Sequence, residues 1–213
     1  MLTFQLQKST PKFFDSIAYT YSNVKSLNDG GSISASNWRH RPVSNDPNAA
    51  ELGFANFYQP YRVIAQASYK FTYGKNYATS VGFTFEAAPN GAGSCTYSGD
   101  VNNDGTGGIN DLIYIPKNQN DIVLVPVNTG GGTISDTRTP VQIWGQLNNF
   151  INQDDYLNSH RGQVAKRNAV VQPVFKHLDL NVMQDIYLQT GKSKHTLRIS
   201  FDMINFGNFL NKN

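Results

Sequence analysis

Alternation of apolar and polar residues is the feature that most constrains this chain. It recurs in six segments, and most have ten residues or more, whereas strands of soluble proteins usually have about five or six. In the clearest segment, every odd position from Val63 to Tyr73 is apolar or aromatic, and the even positions are mostly polar. The pattern predicts β-strands near residues 1–8, 12–25, 61–74, 77–88, 174–189 and 195–207.

The connections between these strands alternate between short and very long. Short turns are expected at residues 8–12, 74–76 and 190–194, and long loops near residues 26–60 and 89–173. Compact soluble domains rarely contain structureless loops beyond about 15 residues. Bacterial outer-membrane barrels, in contrast, join their strands alternately by short periplasmic turns and long external loops. The pattern favours an all-β, antiparallel up-and-down transmembrane β-barrel segment of about six strands, with an ordinary β-sandwich as the alternative.

The two faces of the predicted strands differ in chemistry. In a membrane barrel, the aromatic residues would form an interfacial girdle and the charged residues would line an aqueous lumen or contact a plug. In a sandwich, the same residues would be core and solvated face. The aromatic set is Tyr19, Tyr21, Tyr69, Phe71, Tyr73, Phe83 and Phe85, and the charged set is Arg62, Lys70, Glu86, Asp179, Asp185, Arg198 and Asp202.

Composition excludes several other classes of protein. Only 15 % of the 213 residues are charged, the net charge is +3, and no basic run is present, which argues against nucleic-acid binding. The single cysteine, Cys95, excludes an intramolecular disulfide framework. No run of about 18 apolar residues predicts a transmembrane helix. The N-terminus lacks the features of a signal peptide and already has a strand-like pattern, so we expect a chain that begins inside a larger protein.

One short helix is predicted inside the second long loop. The segment from Thr139 to Gln142 has the pattern of a capping box with Pro140 at the first helical position. The helix is expected to end near His160-Arg161-Gly162 and to serve in packing. Its apolar face would consist of Ile143, Leu147, Phe150 and Ile151, with Trp144 at the border.

The sharpest chemical motif is an oxygen-rich segment of 12 residues, Asp100 to Asp111. It carries oxygen side chains at positions 1, 3 and 5, Gly105 at position 6 and a carboxylate at position 12, which is the ligand spacing of a Ca²⁺ loop. A surface loop rich in Asx turns, without metal, is the alternative. The expected Ca²⁺ ligands are the side chains of Asp100, Asn102, Asp104 and Asp111 and the carbonyl of Thr106.

No motif of an enzyme accompanies this loop. The four histidines are scattered without metal-ligand spacing, and Gly191-Lys192-Ser193 lacks the preceding glycine of a phosphate-binding loop. We therefore expect no catalytic residues and no enzymatic activity.

The chain resembles the C-terminal barrel of TonB-dependent outer-membrane receptors, in the Oar-like group that carries a carboxypeptidase-regulatory-like domain and is common in Bacteroidetes. The resemblance runs in order over nearly the whole chain. Its strongest parts are Ser98 to Gly105 and Asn110 to Pro116. Other matching pieces are Trp38, Asn48, Pro60 to Val63, Tyr69 to Gly74, Tyr156-Leu157, His160 to Gly162, Arg167-Asn168, Pro173, Leu178 to Leu180 and Asp202 to Asn208.

The resemblance implies a barrel of about 22 strands filled by an N-terminal plug. Such a receptor lies in the bacterial outer membrane and imports a large or scarce nutrient with energy from the TonB complex. The expected partners are outer-membrane lipid, the plug, the remaining strands, the TonB complex through a missing N-terminus, and a surface lipoprotein. Residues 1–213 would then be a C-terminal barrel fragment, truncated at both ends and prone to aggregate alone, because lipid tolerates no unpaired strand edges. The rival interpretation is a secreted, calcium-binding β-sandwich module.

Overall fold

The structure, a computed structural model, describes residues 1–30, 33–49, 51–106, 110–127 and 136–210. The chain divides into two compact units. The sheet unit comprises Met1–Asn23, Gln59–Asn90 and Gln172–Asn213, and the loop unit comprises Val24–Tyr58 and Gly91–Val171.

The sheet unit is one six-stranded antiparallel sheet whose spatial order follows the chain order. This arrangement confirms a mostly β protein with antiparallel pairing. Within the described residues the first and last strands each have a single neighbour, so both edges of the sheet are open. The strands are β1 (Leu2–Ser9), β2 (Phe13–Tyr21), β3 (Tyr61–Tyr73), β4 (Tyr77–Pro89), β5 (Val174–Thr190) and β6 (Ser193–Met203).

Tight turns join three of the strand pairs. β3 and β4 are connected by three residues, and Gly74 in this turn has a φ of +60°, which lies in the left-handed region that glycine adopts most readily. The turn between β5 and β6 is tighter than the sequence predicted, because Thr190 already pairs with Ser193. Short turns therefore fix the register of three strand pairs, β1–β2, β3–β4 and β5–β6.

Two strand ends differ from the sequence prediction. β2 ends at Tyr21 rather than near residue 25. The predicted strand at residues 195–207 instead begins at Ser193 and ends at Met203, and Phe206–Leu210 forms a short helix, α4. Ile204 and Phe206 keep this segment apolar past Met203, but Asn205 has a φ of +56°, which ends the extended conformation.

In its described part, the loop unit combines very short strands with several helices. Three two-residue ladders pair Lys25–Ser26 with Gly53–Phe54, Ala92–Gly93 with Val170–Val171, and Tyr114–Ile115 with Gln163–Val164. Its helices are α1 (Ser34–Arg39), α2 (Pro140–Gln153), α3 (Asp155–Ser159) and the 3-10 turn Gln119–Asp121. The prediction of a single loop helix was therefore wrong, since six or fewer residues in α1 and α3 are too few to show helical periodicity.

The predicted capping box at the start of α2 is confirmed. The Gln142 N–H donates to the Thr139 hydroxyl, and the Gln142 side chain accepts the Thr139 N–H at 2.8 Å. The helix ends earlier than predicted, at Gln153, because the Asp154 side chain caps α3 by accepting the Leu157 N–H at 2.8 Å. Phe150 was assigned to the packing face but is 53 % exposed.

A small hydrophobic cluster holds the loop unit together. Ile115, Ile151, Leu157 and Ala165 are buried, and Leu147 packs against them with Cys95, Ile113, Tyr156 and Val170. The segments that sequence reasoning treated as external loops therefore have a core of their own. Among the described residues, none of the helices combines the length and the apolar character needed to cross a membrane.

Candidate functional site

The apolar face of the sheet is the largest candidate surface. Cross-strand pairing places one row of apolar residues from Tyr69 through Val81 and Val182 to Phe201, so the apolar faces of four strands coincide. None of the residues of this face that are here called the apolar band is buried, and Ile17, Phe83 and Phe201 are 48 %, 41 % and 58 % exposed. The band consists of Phe4, Leu6, Ile17, Tyr19, Val63, Tyr69, Phe71, Val81, Phe83, Leu180, Val182, Ile199 and Phe201.

The opposite face of the sheet carries paired charges. Asp185, only 3 % exposed, accepts two hydrogen bonds from the Arg198 guanidinium, Nε to Oδ1 at 2.7 Å and Nη2 to Oδ2 at 3.1 Å. The Tyr187 hydroxyl donates to the same carboxylate at 3.1 Å, and the Lys70 ammonium donates to Tyr187 at 3.0 Å. The sequence placed Lys70, Asp185 and Arg198 on one face, but only the register brings them into one network.

A second ion pair lies on the same polar face. Arg62 Nε is 2.8 Å from Glu86 Oε1, across the β3–β4 pair. The Asp185–Arg198 and Arg62–Glu86 pairs give these charged groups protein partners, so they depend less on water. This face is therefore hydrophilic, and many of its charges are paired, which suits a surface that borders water or another polar surface.

The Asp100–Asp111 segment folds back on itself through its carboxylates. Asp100 accepts the Asp104 N–H on Oδ1 at 3.0 Å and the Gly105 N–H on Oδ2 at 2.9 Å. Asp111, which closes the segment, accepts the Val101 N–H on Oδ2 at 2.6 Å. Gly105 has a φ of +81°, as the sharp turn at position 6 requires. Both ends of the segment are thus held together by side-chain oxygens.

The remaining predicted ligands, Asn102 and Thr106, contact Asp104 in the same loop. Asn102 Oδ1 accepts the Asp104 N–H at 3.0 Å, and its Nδ2 donates to Asp104 Oδ2 at 3.3 Å. Thr106 is buried, and its N–H donates to Asp104 Oδ1 at 2.7 Å. Three residues of the motif, 107–109, lie outside the described part of the chain. Among the described residues, no three or more His, Cys, Asp or Glu side chains lie close enough together to hold a metal ion by themselves, so the amide and carbonyl oxygens would have to complete a site here.

Hydrogen bonding favours the ionised form of the central carboxylate. Burial acts to raise the pKa of Asp104, but hydrogen bonds from the Thr106 backbone and from the Asn110 and Asn102 side chains outweigh it and lower that pKa. The charge on this carboxylate is therefore retained in the folded loop. A carboxylate that stays ionised without a cationic side chain is chemically suited to a metal ion.

Sequence reasoning missed two buried arginines that organise the loop unit. The Arg41 guanidinium donates to three backbone carbonyls, of Leu27 at 3.2 Å, Pro47 at 2.7 Å and Ala49 at 2.9 Å. Such residues carry no local signal, because an arginine that binds carbonyls distant in sequence looks like any surface arginine.

The second arginine, Arg167, connects the two ends of the loop unit. Its Nη2 donates to the Ser26 carbonyl, and its Nη1 is 3.7 Å from Asp29 Oδ2. Burial lowers the pKa of Arg167, and the charge of Asp29 opposes that change. Arg41, Arg167 and Asp29 also line a polar cavity of about 330 Å³. We regard both arginines as structural, because they bind backbone carbonyls and a carboxylate from distant segments of the loop unit.

Comparisons with protein-family models, with curated proteins and with solved structures found no match to this chain. The fold and its surfaces therefore define the class of protein by themselves: a mostly β chain with a long-stranded antiparallel sheet, an exposed apolar face and an elaborate loop unit.

Proposed function

We propose that this chain forms part of the wall and the external loops of an outer-membrane receptor barrel of the TonB-dependent type. The observation that carries the proposal is the apolar band, which crosses all six strands and is open to contact with a surrounding phase. Soluble monomers rarely expose a contiguous apolar patch of more than a few hundred Å². An exposed apolar face of this kind fits a lipid environment.

The strand lengths support the same assignment. β3 and β4 have 13 residues each. At about 3.3 Å per residue such a strand is about 43 Å long, and a tilt of about 45° reduces its span to about 30 Å, the thickness of the hydrocarbon core. Strands of this length exceed what a soluble sandwich needs.

The polar face and the open edges fit the remaining parts of such a receptor. The network around Asp185 would face the barrel interior and its plug, where a polar wall is required. The edges at β1 and β6 would pair with further strands, because unpaired backbone groups are not tolerated in lipid. The loop unit would lie at the external mouth and contact a large nutrient or a surface lipoprotein. In this proposal the role is transport, and no residue has a catalytic task.

The test is a site-directed labelling scan of β4. Single cysteines are placed at Val81 to Glu86 in a Cys95→Ala background and labelled with a nitroxide. The chain is reconstituted in phosphatidylcholine vesicles as part of the full-length barrel, which supplies the strands that its open edges need. Contact with lipid-soluble oxygen should be high at 81, 83 and 85, and contact with a water-soluble nickel complex should be high at 82, 84 and 86. The even positions are the matched controls on the same strand.

Two other outcomes would contradict the proposal. If positions 81, 83 and 85 exclude both oxygen and the nickel complex, a second sheet or another protein surface covers them, and the β-sandwich module becomes the better account. If both sets of positions contact the nickel complex equally, the sheet does not enter the bilayer at all.

A further inference from the structure

The carboxylates of the Asp100–Asp111 segment lack the cationic partners found elsewhere in the chain. Asp29, Asp136 and Asp185 each have an arginine within ion-pair distance, but no such pair involves Asp100, Asp104 or Asp111 among the described residues. Asp111 is only 4 % exposed. A buried carboxylate is costly unless a positive charge or a metal compensates it. Asp100, Asp104 and Asp111 thus bring three negative charges into one 12-residue segment where no described cationic side chain compensates them, which favours a bound cation.

An independent observation comes from Asn110, which was not among the predicted ligands. Its side chain is fully buried, and its Oδ1 has no hydrogen-bond partner among the residues that the structure describes. Its Nδ2 donates to Asp104 Oδ2 at 2.6 Å, so the amide lies directly against the central carboxylate of the segment. The contact also fixes the orientation of the amide, because the flipped form would place two oxygens against each other. A buried amide oxygen without a donor is an unused hard ligand, and here it belongs to a residue that contacts the central carboxylate.

We infer that this segment binds Ca²⁺ and that Asn110 Oδ1 belongs to its ligand set. The other ligands are the side chains of Asp100, Asn102, Asp104 and Asp111 and the carbonyl of Thr106. All are oxygens, and Ca²⁺ takes six to eight of them, whereas Mg²⁺ prefers six at shorter distances and keeps several waters. Bound Ca²⁺ neutralises the uncompensated carboxylates and gives the orphaned amide oxygen a partner.

The inferred site clamps the two long segments of the loop unit to each other. The Val43 N–H donates to the Asn110 carbonyl at 2.7 Å, and the Leu112 N–H donates to the Val43 carbonyl at 3.0 Å. Asn102 Nδ2 donates to the Asn45 carbonyl at 2.7 Å. Residues 43–45 come from the first long segment and residues 102–112 from the second. Ca²⁺ binding should therefore stabilise the contact between them, a role that does not depend on the proposed receptor function.

The experiment titrates Ca²⁺ by calorimetry into the chelator-treated 213-residue chain in detergent micelles, which cover its apolar band, with Mg²⁺ as a second titrant. Terbium, which replaces Ca²⁺ and is excited by nearby tyrosine, gives a second readout, since the Tyr97 N–H contacts the Asp111 carbonyl at 2.8 Å. Asp111→Asn preserves shape and removes one charge, so its Ca²⁺ affinity should fall about tenfold or more. Asp136→Asn, which alters an ion pair elsewhere in the second long segment, is the matched control and should leave the affinity unchanged.

A second variant distinguishes a metal site from a folding defect. Asn110→Asp adds a charged ligand where the orphaned oxygen lies, so it should tighten Ca²⁺ binding and lower the stability of the metal-free chain. Hydrogen exchange at residues 43–45 should slow when Ca²⁺ is added to the unmodified chain. The inference is overturned if the unmodified chain binds no Ca²⁺ at millimolar concentration. It is also overturned if Asp111→Asn and Asn110→Asp bind Ca²⁺ as the unmodified chain does.

Discussion

An arginine at the centre of the apolar band is the sharpest perturbation of the proposed wall. Phe83 is the seventh of the 13 residues of β4, between Ala67 and Leu180 on the neighbouring strands. The next residue, Thr84, projects to the polar face between Gln66 and Asp179. Phe83→Arg and Thr84→Arg therefore place the same charge at the same height of the sheet, on opposite faces.

The expected cost of Phe83→Arg follows from two contributions. Phe83 is 41 % exposed in the chain. For a phenyl side chain with an area of about 200 Å², lipid would cover about 80 Å² of it, a stabilisation of about 2 kcal/mol that arginine loses. An arginine on the lipid-facing side at the bilayer midplane costs a further 2–4 kcal/mol or so. We expect a total loss of about 4–6 kcal/mol, against less than about 1 kcal/mol for Thr84→Arg.

The assay is equilibrium unfolding by urea of each variant, as part of the full-length barrel, in phosphatidylcholine vesicles. Far-UV circular dichroism is the signal, because both tryptophans, Trp38 and Trp144, lie in the loop unit and do not report on the sheet. Equal midpoints for the two variants would refute the reasoning, since a face in contact with water tolerates arginine on either side.

Three further predictions concern the loop unit. Thr139→Ala removes the hydroxyl that caps α2 and should cost about 1 kcal/mol of unfolding free energy, whereas Thr139→Ser should cost little; equal loss in both would exclude the capping role. Gly53→Ala would bring a Cβ within 2.8 Å of Arg167 Nε and should destabilise the unit by about 1–3 kcal/mol, while Gly145→Ala in α2, which meets no atom within 4 Å, should not; thermal melting compares them. Burial raises the pKa of the Cys95 thiol, so little thiolate exists at pH 8 and a disulfide reagent should react far more slowly with the folded chain than in denaturant; similar rates would contradict this.

Local patterns in the sequence placed several features of the fold correctly. The capping box at Thr139 was visible because a helix start depends on residues within one turn of each other. Strand positions were visible for a similar reason, since alternation is a property of neighbouring residues. The prediction that the last strand continues past Met203 was wrong, because the backbone of Asn205 is left-handed, and the apolar residues around it do not reveal that.

The candidate metal site also has a part that the sequence predicted and a part that only the structure revealed. Spacing within 12 residues predicted five ligands, because a metal loop of this kind is local in sequence. It did not identify Asn110, whose importance lies in an orphaned buried oxygen rather than in its position in the motif. Burial of a single atom depends on everything packed around it, and no spacing rule contains that information.

By itself, the sequence determined which residues are extended, which side of each strand is apolar and where an oxygen-rich loop lies. Each of these depends on interactions between near neighbours in the chain. Only the tertiary structure decided that Asp185 meets Lys70 and Arg198, and that Arg167 holds Ser26 and Asp29 from more than 100 residues away. Such contacts follow from strand register and loop packing, where the free energy of a pairing depends on the whole arrangement rather than on either residue's local sequence.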